Sequence, residues 1–150
     1  MQLVLASISP RAKSKSAAAE TLTLDYIARA ARLNPATAAV FDSELALLAA
    51  LERQPNRPAA QLLLFDSRGD LLTSTEFAAL IARLRDDGAQ RILLAIGPAG
   101  GWSAAALARA QRILSLGRIT LPHELARAVA AEQIYRALTI LAGHPYHSGH

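Results

Sequence analysis

The sequence contains no cysteine, which excludes disulfide scaffolds, thiol nucleophiles and cysteine-based zinc sites. Aromatic residues make up only 5% of it, with a single tryptophan. No apolar run approaches the ~20 residues that a membrane-spanning helix needs. The opening MQLVLASIS has neither a basic leader nor a long apolar stretch followed by a cleavage site. No signal peptide is read there, and a cytoplasmic protein without a membrane partner is expected. Acidic charge is in the minority, with 12 Asp and Glu against 16 Lys and Arg and a net charge of +4. Arginine greatly outnumbers lysine, and its planar fork matches phosphate, so the balance favours an anionic partner such as RNA.

What is present is aliphatic: 52% of the residues are hydrophobic, mostly Leu, Ile, Val and Ala. At 150 residues the chain reads as one domain over 1–150, able to bury roughly 70% of its unfolded surface. Abundant alanine favours close helix packing over a loose ligand barrel.

Short apolar runs alternate with longer amphipathic ones. LVLASI (3–8), AAVF (38–41), QLLLF (61–65), RILLAI (91–96) and RILSL (112–116) read as strands. The fourth is continuously apolar, as a strand covered on both faces should be. A helix-like stretch separates the first two strands and ends near Asn34 and Pro35. Asp66-Ser67-Arg68-Gly69-Asp70 has turn chemistry and closes the third strand. Over 75–86, Phe77, Leu80, Ile81 and Leu84 fall on one helical face, with Thr73 and Glu76 as a capping box and Gly88 at the end. The proline-rich 54–58 stretch reads as a loop. Strands alternating with helices predict an α/β fold, an open parallel sheet with helices on both faces. Ligands of such sheets bind outside the carboxyl ends of the strands, here Phe65-Asp66, the Gly97-to-Gly101 loop and Leu116-Gly117.

The loop IGPAGGWS (96–103) runs from the buried strand into a helix that Ser103 can cap. Its glycines either let a backbone approach a ligand or simply make a tight turn. The last helix, 122–142 with Pro122 in its first turn, carries Leu125, Val129 and Ile140 on one stripe with Glu132 and Arg136. Ile134, Leu138 and Leu141 lie on the other, with Arg127 beside them. Apolar residues on two sides leave no ordinary solvent face. One side covers the sheet, and the other needs a partner, expected to be a second copy across a two-fold axis. Glu132 and Arg136 have the favourable i, i+4 order, either fixing a contact or forming an edge salt bridge. His144, His147 and His150 recur every three residues, but Pro145 and Gly149 break the helix that would align them, so no metal site is expected.

From Leu114 onward the chain reads LSLGRITLPHELARAVAAEQIYRALTILAGHPYH. This resembles the carboxyl-terminal signature of the RlmH-type ribosomal RNA methyltransferases of the SPOUT (alpha/beta-knot) class. Their pattern is a serine-leucine loop, TLPH, L-x-R, E-x-x-YRA and a terminal PYHR-like tail, and DYIARA (25–30) stands in the place of the family's D/EYL helix. The resemblance implies methyl transfer from S-adenosylmethionine, without a metal, to N3 of a pseudouridine in 23S ribosomal RNA. It further implies homodimers acting on the assembled ribosome and a carboxyl-terminal trefoil knot around the cofactor. Knots are essentially absent from ordinary folds, so no strand count predicts one.

By the same resemblance the cofactor loop is Gly117, Arg118, Ile119, Thr120, Leu121 and Pro122, joined by Phe65 and Asp66 and by Gly97 and Pro98. Two departures stand out: IGPAGG replaces the usual IGGPEG, and the tail reads YHSGH where the family has YHR. The N3 proton must leave as N3 attacks. His147 is the base by residue type, and Tyr146 stacks on the substrate or holds the cofactor. Arg127 and Arg136 then meet RNA phosphate or ring oxygens. His123 lines the entrance or, alternatively, is a helix-start histidine bonded to backbone. Two other readings stand beside this one. The first is a small-subunit uridine-N3 methyltransferase, whose loop IGPEGGFS is closer to IGPAGGWS but whose amino-terminal barrel has no room here. The second is a catalytically silent ribosome-binding dimer.

Overall fold

The computed structural model describes residues 1–8 and 16–148. It contains five strands, β1 (Gln2–Ile8), β2 (Ala36–Phe41), β3 (Gln61–Leu71), β4 (Arg91–Ile96) and β5 (Arg112–Ser115). Five helices accompany them: α1 (Ala17–Ala31), α2 (Glu44–Ala49), α3 (Ser74–Asp86), α4 (Ala104–Arg109) and α5 (His123–Leu141). A short 3-10 turn, Pro145–His147, follows. The sheet is wholly parallel, in the order β2-β1-β4-β3-β5.

Both faces of the sheet are covered. Leu3, Leu5, Leu63, Ile92 and Leu94 pack under α1, α3 and α5, while Val4, Ala6, Leu64, Leu93 and Ala95 pack under α2 and α4. Every residue of β4 is buried, which is why it is unbroken apolar from Ile92 to Ile96, with Arg91 at its start the strand's one buried charge. The alanines of α5 serve close packing as expected, since Ala130, Ala131 and Ala137 are buried against the sheet and α1. No helix among the described residues is long and apolar enough to cross a membrane.

Local chemistry sets the boundaries. Ser16, Ser43, Thr73 and Ser103 each accept a backbone N–H in the first turn of the helix they precede. Thr73 and Glu76 complete the expected reciprocal box, which satisfies two amides that the helix itself leaves orphaned. Pro122 is the residue before α5 rather than a member of its first turn.

The largest departure from the sequence reading is β3. The stretch 66–70 does not end the strand: its pairing with β5 shifts between Phe65 and Asp70, so the chain bulges and then rejoins its neighbour. Gly69 makes this possible, because a Cβ there would sit 2.5 Å from the Leu114 carbonyl carbon. Helix α2, not foreseen, closes the second face with Leu47, joined by Leu51 just beyond its end. After edge strand β5 the chain returns to the middle of the molecule, where α5 packs on α1 and α3. That return path is consistent with the expected knot.

Candidate active site at the carboxyl ends of the strands

The carboxyl ends of β3 and β5 open onto a cleft of about 240 Å³. Phe65, Leu72, Phe77, Leu114 and Leu116 supply apolar walls, Gly117 forms one rim, and Val129 and Gln133 of α5 close the side. Gly117 has φ +138°, a conformation that side-chain-bearing residues rarely adopt. The Ser115 hydroxyl donates to the Gly117 carbonyl at 2.8 Å and accepts from its N–H at 3.1 Å, which pins the bend without an external partner. Beyond it Arg118, Ile119 and Thr120 are exposed, Leu121 is half-buried and Pro122 is exposed. Ile119 is 81% exposed, an unusual state for a large aliphatic side chain beside a cleft.

The Gly97 loop is locked by the tryptophan, which the sequence reading passed over. Trp102 is buried, and its Nε1 donates to the Phe65 carbonyl at 3.0 Å. Its ring lies so close to Gly97 that a Cβ there would come within 2.7 Å of Cε2. Glycine is therefore required at 97 by the indole, with its φ in the ordinary range. Pro98 accepts from the Gly101 N–H at 2.9 Å, closing the turn. His123 Nδ1 lies 3.1 Å from the Gly97 carbonyl, so the ring ties the start of α5 to this loop. That is the backbone-bonded alternative for His123, and it places the histidine at the loop's edge.

Phe65, Gly97, Gly117 and His123 are thus brought to one end of the sheet. Asp66 faces away from the cleft, on a separate surface groove shared with Arg68 and Asp70. Its carboxylate accepts from the Arg68 backbone N–H and from Nε and Nη2. These bonds from Arg68 hold its pKa below the ordinary carboxylate value.

The tail folds back, and its anchors are on α5. Glu132 Oε1 accepts from Arg136 Nε at 2.9 Å and from the Tyr146 hydroxyl at 3.1 Å. Arg136 Nη1 lies 3.0 Å from His147 Nδ1, and its guanidinium sits 4.8 Å from the Tyr146 ring centroid. Tyr146 also packs on Tyr135, at 4.7 Å between centroids, and Tyr135 on Tyr26 at 6.1 Å. Burial raises the Tyr146 pKa, with hydrogen bonds to Tyr26 and Glu132 adding to the effect; the bond to Glu132 raises that of Arg136. The i, i+4 pair thus fixes the tail. Gln133 joins tail and cleft, since its Nε2 donates to Glu132 at 2.7 Å while its Oε1 accepts from Ser74 of α3 at 2.8 Å.

Arg127 is placed differently from the expectation. It is buried and pairs with Glu20 of α1, so its charge serves the α1–α5 contact and is not presented to solvent. His144 accepts from the Tyr146 N–H and His147 meets Arg136, while Gly149 and His150 lie outside the described residues. Among the described residues no cluster suited to a metal occurs.

Residues 1–147 match the family model "Predicted SPOUT methyltransferase". The chain therefore belongs to the SPOUT methyltransferase family. Within it, the chain is 46% identical over 138 residues to the ribosomal RNA large subunit methyltransferase H of Koribacter versatilis, covering 92% of this chain and 94% of that one. It is 53% identical to the Methylocella silvestris protein of the same name, over 60% of this chain and 56% of that one. Among solved structures, it is similar to the SpoU methyltransferase AviRb of Streptomyces viridochromogenes in complex with AdoMet, at TM-score 0.50 and 16% identity. That match covers 95% of this chain and 58% of AviRb. A protein described for 2-OH methylation of C/U34 on tRNA also matches, at TM-score 0.50 and 23% identity, over 92% of this chain and 91% of that one. These two likenesses concern the fold.

Proposed function

We propose that the protein transfers a methyl group from S-adenosylmethionine to N3 of a pseudouridine in the large-subunit RNA of the assembled ribosome, acting in the cytoplasm as a homodimer. The carrying observation is the cleft between the ends of β3 and β5, read with the names of relatives that match most of the chain. Its apolar walls suit an adenine ring, and the Gly117 carbonyl, which keeps a second lone pair beside the Ser115 hydroxyl, suits a donor on the polar edge of that ring. At about 240 Å³ it falls below the roughly 300 Å³ at which small-molecule pockets usually begin. The cleft thus takes the nucleoside end, and the rest of the donor needs further walls.

A second copy supplies those walls in this reading. Leu125 of α5 remains 44% exposed, whereas Ile140 is half-buried against the core. Pairing two such helices buries Leu125 of each copy.

The bound donor supplies a sulfonium-attached methyl group, and the displacement at it is chiefly a matter of alignment. The chain's own groups position the base. Arg136 can only donate, so His147 Nδ1 accepts its hydrogen bond and the neutral ring carries its proton on Nε2. In that state His147 offers a donor to a base carbonyl, and taking up the N3 proton requires its bond to Arg136 to break. Tyr146, held protonated, fixes the tail through Glu132. Phe65, Gly97, Pro98 and the 117–122 bend form the cofactor side, with Asp66 bracing the start of the β3 bulge from outside.

Titration calorimetry with S-adenosylmethionine on the folded protein tests the cofactor. Transfer of tritiated methyl to intact ribosomes, but not to free RNA, tests the substrate. A folded dimer that binds no donor supports the silent ribosome-binding reading instead, and label in small-subunit RNA supports the uridine-N3 reading.

A further inference from the structure

The amino-terminal ends of the strands hold a further groove, of about 750 Å³, that the proposed reaction does not use. The 53–61 loop forms one wall, and Gly88–Gln90 with Gln111 the other. The loop is closed on itself by reciprocal backbone bonds, Gln54 N–H to Arg57 carbonyl at 2.8 Å and Arg57 N–H to Gln54 carbonyl at 3.0 Å. The lining carries Arg53, Arg57 and several amide side chains, and no carboxylate.

Arg57 Nε is sealed from solvent and has no hydrogen-bond partner among the described residues. Close by, Arg91 is 5% exposed, and its Nη1 donates to the Ala50 carbonyl at 2.7 Å. That carbonyl ends α2 and accounts for where Arg91 sits, but leaves Arg57 unexplained. Among the described residues neither guanidinium forms an ion pair with a carboxylate. Burial lowers the Arg91 pKa, and the charge of Arg57 lowers it further. Two guanidiniums side by side, Arg91 buried and Arg57 half-buried, cost free energy unless an anion compensates them.

We propose that this groove binds phosphate, and that the phosphate is supplied by the phosphodiester backbone of RNA. It is then a second RNA contact, about 20 Å from the transfer cleft, given a strand rise of roughly 3.3 Å per residue over the six residues of β4. The capacity for phosphate stands on the groove alone; its assignment to RNA rests on the proposed function.

Inorganic phosphate is titrated into the full protein while the Arg57 Nε–Hε resonance is followed, with chloride at equal ionic strength as reference. Ribosome binding is then measured against salt for wild type, Arg53→Gln and the R53Q/R57Q pair; Arg53 is exposed, so its single variant guards against misfolding. A saturable shift specific to phosphate is expected. The double variant should lose about tenfold in ribosome affinity, and its log–log salt slope should flatten by roughly one to two, with S-adenosylmethionine affinity unchanged. No phosphate-specific shift overturns the site. A shift with unaltered ribosome affinity and slope makes it a small-anion site and overturns the RNA contact. Loss of affinity in the double variant, with a wild type that transfers no methyl, supports the groove and sinks the proposed reaction instead.

Discussion

Replacing Gly97 with alanine tests the tryptophan lock. A Cβ at 97 would lie 2.7 Å from Trp102 Cε2 and 2.8 Å from Nε1, closer than real contacts permit. The indole is buried and rigid, so it must tilt, and tilting takes Nε1 away from the Phe65 carbonyl it meets at 3.0 Å. Overpacking of this kind costs ~1–3 kcal/mol, and a buried carbonyl left unpaired costs ~1–3 kcal/mol. The ring can meet part of each demand, so the expected loss is about 3 kcal/mol, or a Tm lowered by roughly 6–12 °C for a domain of this size. Urea and thermal unfolding of G97A, W102F and the double variant measure it. Because phenylalanine lacks the indole nitrogen and leaves more room, G97A should cost less in the W102F background, giving a coupling of about 1 kcal/mol or more. A G97A protein within 0.5 kcal/mol of wild type would refute the lock.

Glu20→Gln leaves the Arg127 charge buried without its partner and should cost ~3 kcal/mol, whereas Arg127→Leu leaves only the half-exposed Glu20 and should cost less; chemical denaturation orders the two. Tyr146 has a raised folded-state pKa, so its contribution is complete below about pH 10 and falls as pH rises toward the folded value. Tyr146→Phe should lower neutral-pH stability by about 1 kcal/mol and flatten that alkaline decline, as followed by pH-dependent unfolding. His147→Ala should depress methyl transfer about a hundredfold or more, the usual range for a positioned proton donor or acceptor, with dimerisation intact by sedimentation; undiminished turnover removes its role.

Features governed by neighbours in sequence were legible. The Thr73–Glu76 box, the Ser103 cap, the doubly buried β4 and the Glu132–Arg136 pair all depend on residues a few positions apart. The two-sided character of α5 was also legible, but which stripe meets the sheet depends on tertiary packing. What escaped was set over long separations. The turn-like 66–70 stretch stays in the sheet because Gly69 fits against Leu114, a contact that no local propensity encodes. Arg127 turns inward because Glu20, far along the chain, meets it. Trp102 is one aromatic in a glycine loop, and its hold on Phe65 and Gly97 appears only when β3 and β4 lie side by side. Helix α2 is too short for periodicity to reveal, although Ser43 ahead of Glu44 was a usable capping signal.

The most direct measurement is mass spectrometry of ribosomal RNA from cells lacking this gene, before and after it is restored. Loss of a single N3-methylated pseudouridine from the large-subunit RNA, regained on restoration, is the predicted result. Large-subunit methylation that is complete without the gene, or a mark missing only from small-subunit RNA, would contradict it.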